Sequence, residues 1–101
     1  MSNRTNLIEL ASSLPQAWRS HIVGEAAGAN FKVVRMDGNA YPNEQHPFNE
    51  ALLVIEGQIN LELDGDIVQV RSGEVVIVPA GTPHAVSEGS HGTLVIIDSA
   101  A

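Results

Sequence analysis

From Gly57 to Gly89 the glycines fall at Gly57, Gly65, Gly73, Gly81 and Gly89, one every eight residues. β-Branched runs fill the first intervals, so the rhythm is that of short strands joined by turns, and turn signals at this spacing predict an all-β sandwich or barrel. The intervening segments do not resemble one another, which argues against a solenoid. Ile59, Leu61 and Leu63 alternate with Gln58, Asn60 and Glu62, the period of a strand with one face on the core. Asp64-Gly65 supplies the left-handed backbone of a tight hairpin, and Ile67 to Val70 returns as its partner. Ala51 to Ile55, Val75 to Val78 and Leu94 to Ile97 are apolar at every position, which predicts strands covered on both faces.

Upstream, Ile22-Val23 and Phe31 to Met36 read as two further strands around a loop from Gly24 to Asn30, with Lys32 and Arg35 on the wetter positions. Leu7, Leu10, Ala11, Leu14 and Trp18 have near-helical spacing, but Pro15 disfavours a helix through Leu14. A short helical turn or arm is expected there, with Trp18 packing on the core. The 101 residues suit one domain with a modest core, for which pairing of subunits is a natural supplement. A homodimer is therefore expected.

Twelve acidic residues against five basic ones give a net charge of −7, the wrong sign for a surface that tracks phosphates, so no nucleic acid partner is expected. The longest apolar stretch, Ala51 to Ile55, is far too short to span a bilayer, and residues 1–10 carry no signal-like run. No membrane partner and a cytoplasmic location follow as expectations. Without cysteine, any metal must be held by histidine, carboxylate or carbonyl.

Histidines and carboxylates gather around two turns. Glu44, His46 and Glu50 lie in the first stretch; His84 and Glu88 lie in the second. Two imidazoles and a carboxylate suit Fe(II), Mn(II), Zn(II) or Ni(II). Glu44 and His46, two apart, share a face if that stretch is extended. Pro42 and Pro47 favour such a backbone before them. Glu50 opens an apolar strand, where an ionised carboxylate facing the interior must find a cation or take a proton. Pro79-Ala80-Gly81 reads as a tight turn that brings His84 to the barrel mouth, with proline at its second position and glycine at its fourth. Tyr41, Phe48 and Met36 are candidates for a cavity wall or the core. His21 and His91 are not expected to bind metal, and Glu88 reads as part of a solvated turn.

These stretches resemble the two motifs of the cupin superfamily. The first, about 38–57, is matched by Gly38, His46, Glu50 and Gly57; the second, about 73–88, is matched by Gly73, Pro79, Gly81 and His84. The resemblance implies a double-stranded β-helix, or jelly-roll, barrel over residues 1–101. It implies metal ligands His46, Glu50 and His84. Glu44 stands where the first motif has its first histidine, and Glu88 where the second has asparagine. Glu44 is thus open to three roles: fourth ligand, general base toward substrate, or solvated loop carboxylate. The expected function is a metal-dependent enzyme of dioxygenase, isomerase or lyase type acting on a small oxygenated molecule. The alternative is a non-catalytic ligand-binding or sensor domain. The fold hosts many activities and does not select one.

Overall fold

The structure, a computed structural model, describes residues 3–101. A seven-residue helix, α1 (Leu7–Ser13), precedes eight strands: β1 (His21–Ala26), β2 (Ala29–Asp37), β3 (Tyr41–Glu44), β4 (Glu50–Leu63), β5 (Asp66–Arg71), β6 (Val75–Val78), β7 (His84–Val86) and β8 (His91–Ser99). All strand pairs are antiparallel. The path β1-β2-β8-β4-β7-β3 carries β5 and β6 as further partners of β4. The first part of β4 lies between β6 and β8, and its last part lies between β5 and β7. One long strand thus belongs to both walls, which curls the sheet into a jelly-roll barrel.

The glycine rhythm predicts a turn at Gly57, but β4 continues through it. The strand is bulged there instead, with a register shift between Val54 and Glu56 against β8. Inward burial changes parity across the bulge: Glu50, Leu52 and Val54 before it, Ile59 and Leu61 after it. One extra residue on one strand has this effect. Gly57 has φ 84° and Gly92 φ 106°, and a Cβ on either would collide with the other's strand, at the His91 and Glu56 carbonyls respectively. Glycine at both places lets the two backbones cross closely.

The predicted hairpin is present. Leu63 pairs with Asp66, and Asp64 and Gly65 have φ of 50° and 89°, as a two-residue turn of this hand requires. β1 and β2 are longer than expected, because pairing continues to Ala26↔Ala29 and reduces the Gly24 to Asn30 loop to a turn at Ala27-Gly28. Gly24, Glu25 and Ala26 pair in turn with Phe31, Asn30 and Ala29, so the backbone stays in the ladder although most of these side chains are small or polar.

Val34, Met36, Leu52, Val54, Ile59, Leu61, Val70, Val78 and Leu94 form the buried core. Each large member removes enough apolar surface from water to contribute about 1.5–3 kcal/mol. Helix α1 is capped by Asn6, whose side chain accepts from the Glu9 amide at 3.1 Å. It ends at Leu14, which is extended ahead of Pro15. Ala11 is buried, and the helix packs against β2, β4 and β8 from outside the barrel. Apolar β6 is not covered on both faces as expected: Val75 and Ile77 are 55% and 54% exposed. No helix among the described residues is long and apolar enough to cross a membrane.

Candidate metal centre

His84 starts β7, where it pairs with Leu63 of β4 on one side and with Glu44, the last residue of β3, on the other. His46 lies beyond the end of β3, in a segment stitched to the turn that precedes β7. The Gly81 amide donates to the His46 carbonyl at 2.7 Å, Gln45 Nε2 donates to the Gly81 carbonyl at 2.9 Å, and the Ala80 amide donates to Asn49 Oδ1 at 2.9 Å. That turn closes one residue later than the sequence suggests, with the Thr82 amide donating to the Pro79 carbonyl at 3.1 Å. Gly81, the third of the turn's four residues, has φ 78°, the left-handed conformation for which a turn favours glycine at that place.

Four side chains converge here. His46 Nε2 is 3.6 Å from Glu44 Oε2 and 3.7 Å from Glu50 Oε2; His84 Nε2 is 4.0 Å from Glu44 Oε2 and 3.5 Å from Glu50 Oε1. Glu44, His46 and His84 can each offer one ligand atom within 4.8 Å of the others. Glu50 faces the two imidazoles through different oxygens. These separations are too long for hydrogen bonds. They are slightly wider than the roughly 3.0–3.4 Å between neighbouring donors around an ion with bonds of about 2.1 Å.

Each imidazole is oriented. His84 Nδ1 lies 3.0 Å from the Thr82 carbonyl; a carbonyl only accepts, so Nδ1 carries the proton and Nε2 turns its lone pair to the cluster. The His46 ring stacks on Phe48 at a centroid distance of 5.2 Å and 4° between planes. Both Nε2 atoms are buried and without a hydrogen-bond partner. Glu50 is buried, and that burial pushes its carboxyl above the usual range; Asp98 and Glu44 push the same way, while His46 and His84 oppose them.

The cluster opens on a cavity of about 200 Å³, space for roughly seven waters at liquid density. Its walls are Val34, Leu52, Ile59, Val86, Leu94 and Ile96, with Trp18 and Tyr41 also lining it. Trp18 and Tyr41 are in ring contact at 5.6 Å. Trp18 Nε1 donates to Asp37 Oδ1 at 2.7 Å, a bond that holds the Asp37 carboxyl below its ordinary range with help from Asn39. Met36 is core, and Phe48 backs His46 rather than the cavity. Glu88, His21 and His91 are exposed and lie outside the cluster.

Two cavity residues escaped the sequence reading. Lys32, expected on a wet position, lines the cavity, and its Nζ lies 2.8 Å from Asp98 Oδ2. Lys32 shares strand parity with Val34 and Met36, and Asp98 shares it with Leu94 and Ile96. That parity is the signal that places both inward. Their apolar neighbours on the opposite face obscured it.

Residues 32–99 match the Cupin_2 family, described as Cupin domain. The quercetin 2,3-dioxygenase of Bacillus subtilis (strain 168) is 35% identical over 77 residues, covering 72% of this chain and 23% of that protein. The chain thus spans about a quarter of this relative's length. A cupin-2 domain containing protein from Shewanella frigidimarina superposes with a TM-score of 0.86 at 20% identity, over 96% of this chain and 95% of that one. A hydroquinone 1,2-dioxygenase in complex with Cd²⁺ and 4-hydroxybenzonitrile gives 0.83 at 16% identity, over 98% and 74%. With the family match over residues 32–99 and the barrel in place, the chain belongs to the cupin family.

Proposed function

We propose that this protein is a metal-dependent cupin acting on a small oxygenated molecule, with a divalent transition metal held by His46, Glu50 and His84. The observation that carries this reading is the pair of buried, partnerless imidazole nitrogens turned toward two carboxylates. Buried polar atoms ordinarily find partners. Charge supports the same reading: Glu44, Glu50 and Asp98 face the cavity with Lys32 as the one cationic side chain among its lining residues. Two negative charges are left over, and a divalent cation would cancel them.

When bound, such an ion supplies Lewis-acid polarisation of a ligand oxygen or, if redox-active, reaction with dioxygen. The chain's own residues do the rest. Trp18 and Tyr41 with the aliphatic wall keep bulk water from the ligand. The Thr82 carbonyl keeps His84 in the coordinating tautomer. Glu44 is 43% exposed at the edge of the cluster, which makes it the group within reach of both solvent and ligand. It either completes the donor set or accepts a ligand proton at Oε2. The likeness to a quercetin dioxygenase supports an oxidative reaction; the small cavity favours a substrate smaller than a flavonoid.

Protein purified without an affinity tag should contain, or take up after chelation, one equivalent of Fe, Mn, Zn or Ni by elemental analysis. A protein that binds none of the four would overturn the reading. Glu44→Gln separates the two roles of that residue, since loss of metal affinity marks a ligand and retained metal with lost turnover marks a base.

We further propose that the chain forms a homodimer through the outer face of the β2-β8-β4-β6 wall. Phe31, Ile97, Ala51 and Ile77 are in register across it, and Phe31 and Ile77 are exposed. Sedimentation should give twice the monomer mass at micromolar concentration, and Ile77→Lys should shift it toward the monomer.

A further inference from the structure

Among the described residues, three buried polar side-chain atoms lack a hydrogen-bond partner. Two are the imidazole nitrogens of the metal cluster. The third, Asp98 Oδ1, belongs to neither cupin motif and is not accounted for by the metal. Asp98 is 6% exposed, and its other oxygen is 2.8 Å from Lys32 Nζ. Both residues line the cavity that holds the cluster, with Leu94 and Ile96 beside them on the same wall.

The pair is chemically asymmetric. Lys32 carries three N–H donors, and the contact to Oδ2 uses one. Asp98 has satisfied one oxygen and left the other as a strong, desolvated acceptor. Together they offer a donor and an acceptor side by side in an otherwise apolar wall. An uncharged ligand matches that pattern if it carries a hydroxyl next to a carbonyl oxygen. Its hydroxyl donates to Asp98 Oδ1, and its carbonyl oxygen accepts from the Lys32 ammonium. A ligand lacking the hydroxyl leaves the buried carboxylate oxygen unpaired, and a site with an unmet polar atom discriminates strongly against such an analogue.

We propose that Lys32 and Asp98 form a ligand-recognition site that selects small, uncharged α-hydroxy carbonyl compounds. This deepens the proposed function, on which it depends for the idea that the cavity takes a substrate, but it does not use the metal ligands. Lys32 and Asp98 act here as specificity residues.

The test uses the full chain, both Zn²⁺-loaded and chelator-treated, with hydroxyacetone and its deoxy analogue acetone as probes. Trp18, the single tryptophan, lines the same cavity, so its indole N–H resonance reports occupancy. In the chelator-treated protein hydroxyacetone should bind at least tenfold more tightly than acetone. Asp98→Asn should cut that preference to less than threefold with acetone affinity unchanged, and Lys32→Met should weaken both probes. Since Lys32→Met alone strands a buried carboxylate, Lys32→Met/Asp98→Asn removes both charges and is read if the single variant unfolds. Equal binding of the two probes by the wild type, or undiminished preference in the double variant, overturns the proposal. Metal stoichiometry is measured alongside: hydroxyacetone selectivity in a protein that takes up none of Fe, Mn, Zn or Ni would sink the metal reading and leave this one standing. Zn²⁺ uptake without selectivity would do the reverse.

Discussion

The cavity has two polar ends built on opposite principles. At one, four side chains approach to 3.5–4.0 Å without any bonding to another, and two nitrogens stay partnerless. At the other, a lysine and an aspartate meet at 2.8 Å. The first end is held in place by its backbone, through the stitches between residues 45–49 and the turn at 79–82, and it needs an outside cation to become favourable. The second end is largely self-sufficient and neutral. A difference of this kind teaches that one cavity can divide its work: a preorganised cluster that is costly without its guest, and a paired group that tunes which guest fits.

Replacing one end at a time sharpens the contrast. His84→Ala should have the largest effect, weakening metal affinity by about 100-fold or more, or roughly 2.7 kcal/mol, with little change in the far-ultraviolet circular dichroism. Stoichiometric metal retained at nanomolar free concentration would show that the ligand set is wrong. At the other end, Lys32→Met should cost about 2 kcal/mol in urea unfolding, below the roughly 3–5 kcal/mol of a fully buried broken pair, because the Lys32 side chain keeps 23% exposure. Metal affinity should barely change in that variant.

The smallest expected effect is in the pH dependence of the metal-free protein. Burial raises the Glu50 carboxyl above its unfolded value, so the folded state holds that proton more tightly. Its contribution to stability is whole below the unfolded pKa and is lost as pH rises through the raised one. Metal-free wild type should therefore lose stability relative to Glu50→Gln between acid and neutral pH. Bound metal should reverse the trend, since protons then compete with it for the same donors. A metal-free difference that is flat from acid to neutral pH would remove Glu50 from the buried cluster.

The sequence made one end of the cavity legible and hid the other. His46, Glu50 and His84 stand out because the residues at fixed distances from them, Gly57, Pro79 and Gly81, set turns or bends with specific backbone needs. Asp64-Gly65 is legible for the same reason. Lys32 and Asp98 sit in strands whose two faces are both apolar, so alternation, the usual guide to which side faces in, was masked by Phe31, Val33, Val95 and Ile97. Gly57 misled for a different reason. A glycine with positive φ serves a turn or a bulge equally well, and only its crossing with Gly92, far away in sequence, decides between them.

That crossing has a consequence for how the chain tolerates change at the bulge. Strand β4 switches its inward frame once, at the bulge, so that Glu50 and Leu61 point to the same interior although their positions differ by an odd number. Flattening the bulge at unchanged chain length would restore an unbroken zigzag and turn one half of the strand inside out. Either Glu50 would leave the cluster for solvent, or Ile59 and Leu61 would leave the core. The segment therefore acts as a phase switch, and its bulged backbone is fixed as firmly as the identity of any ligand it presents.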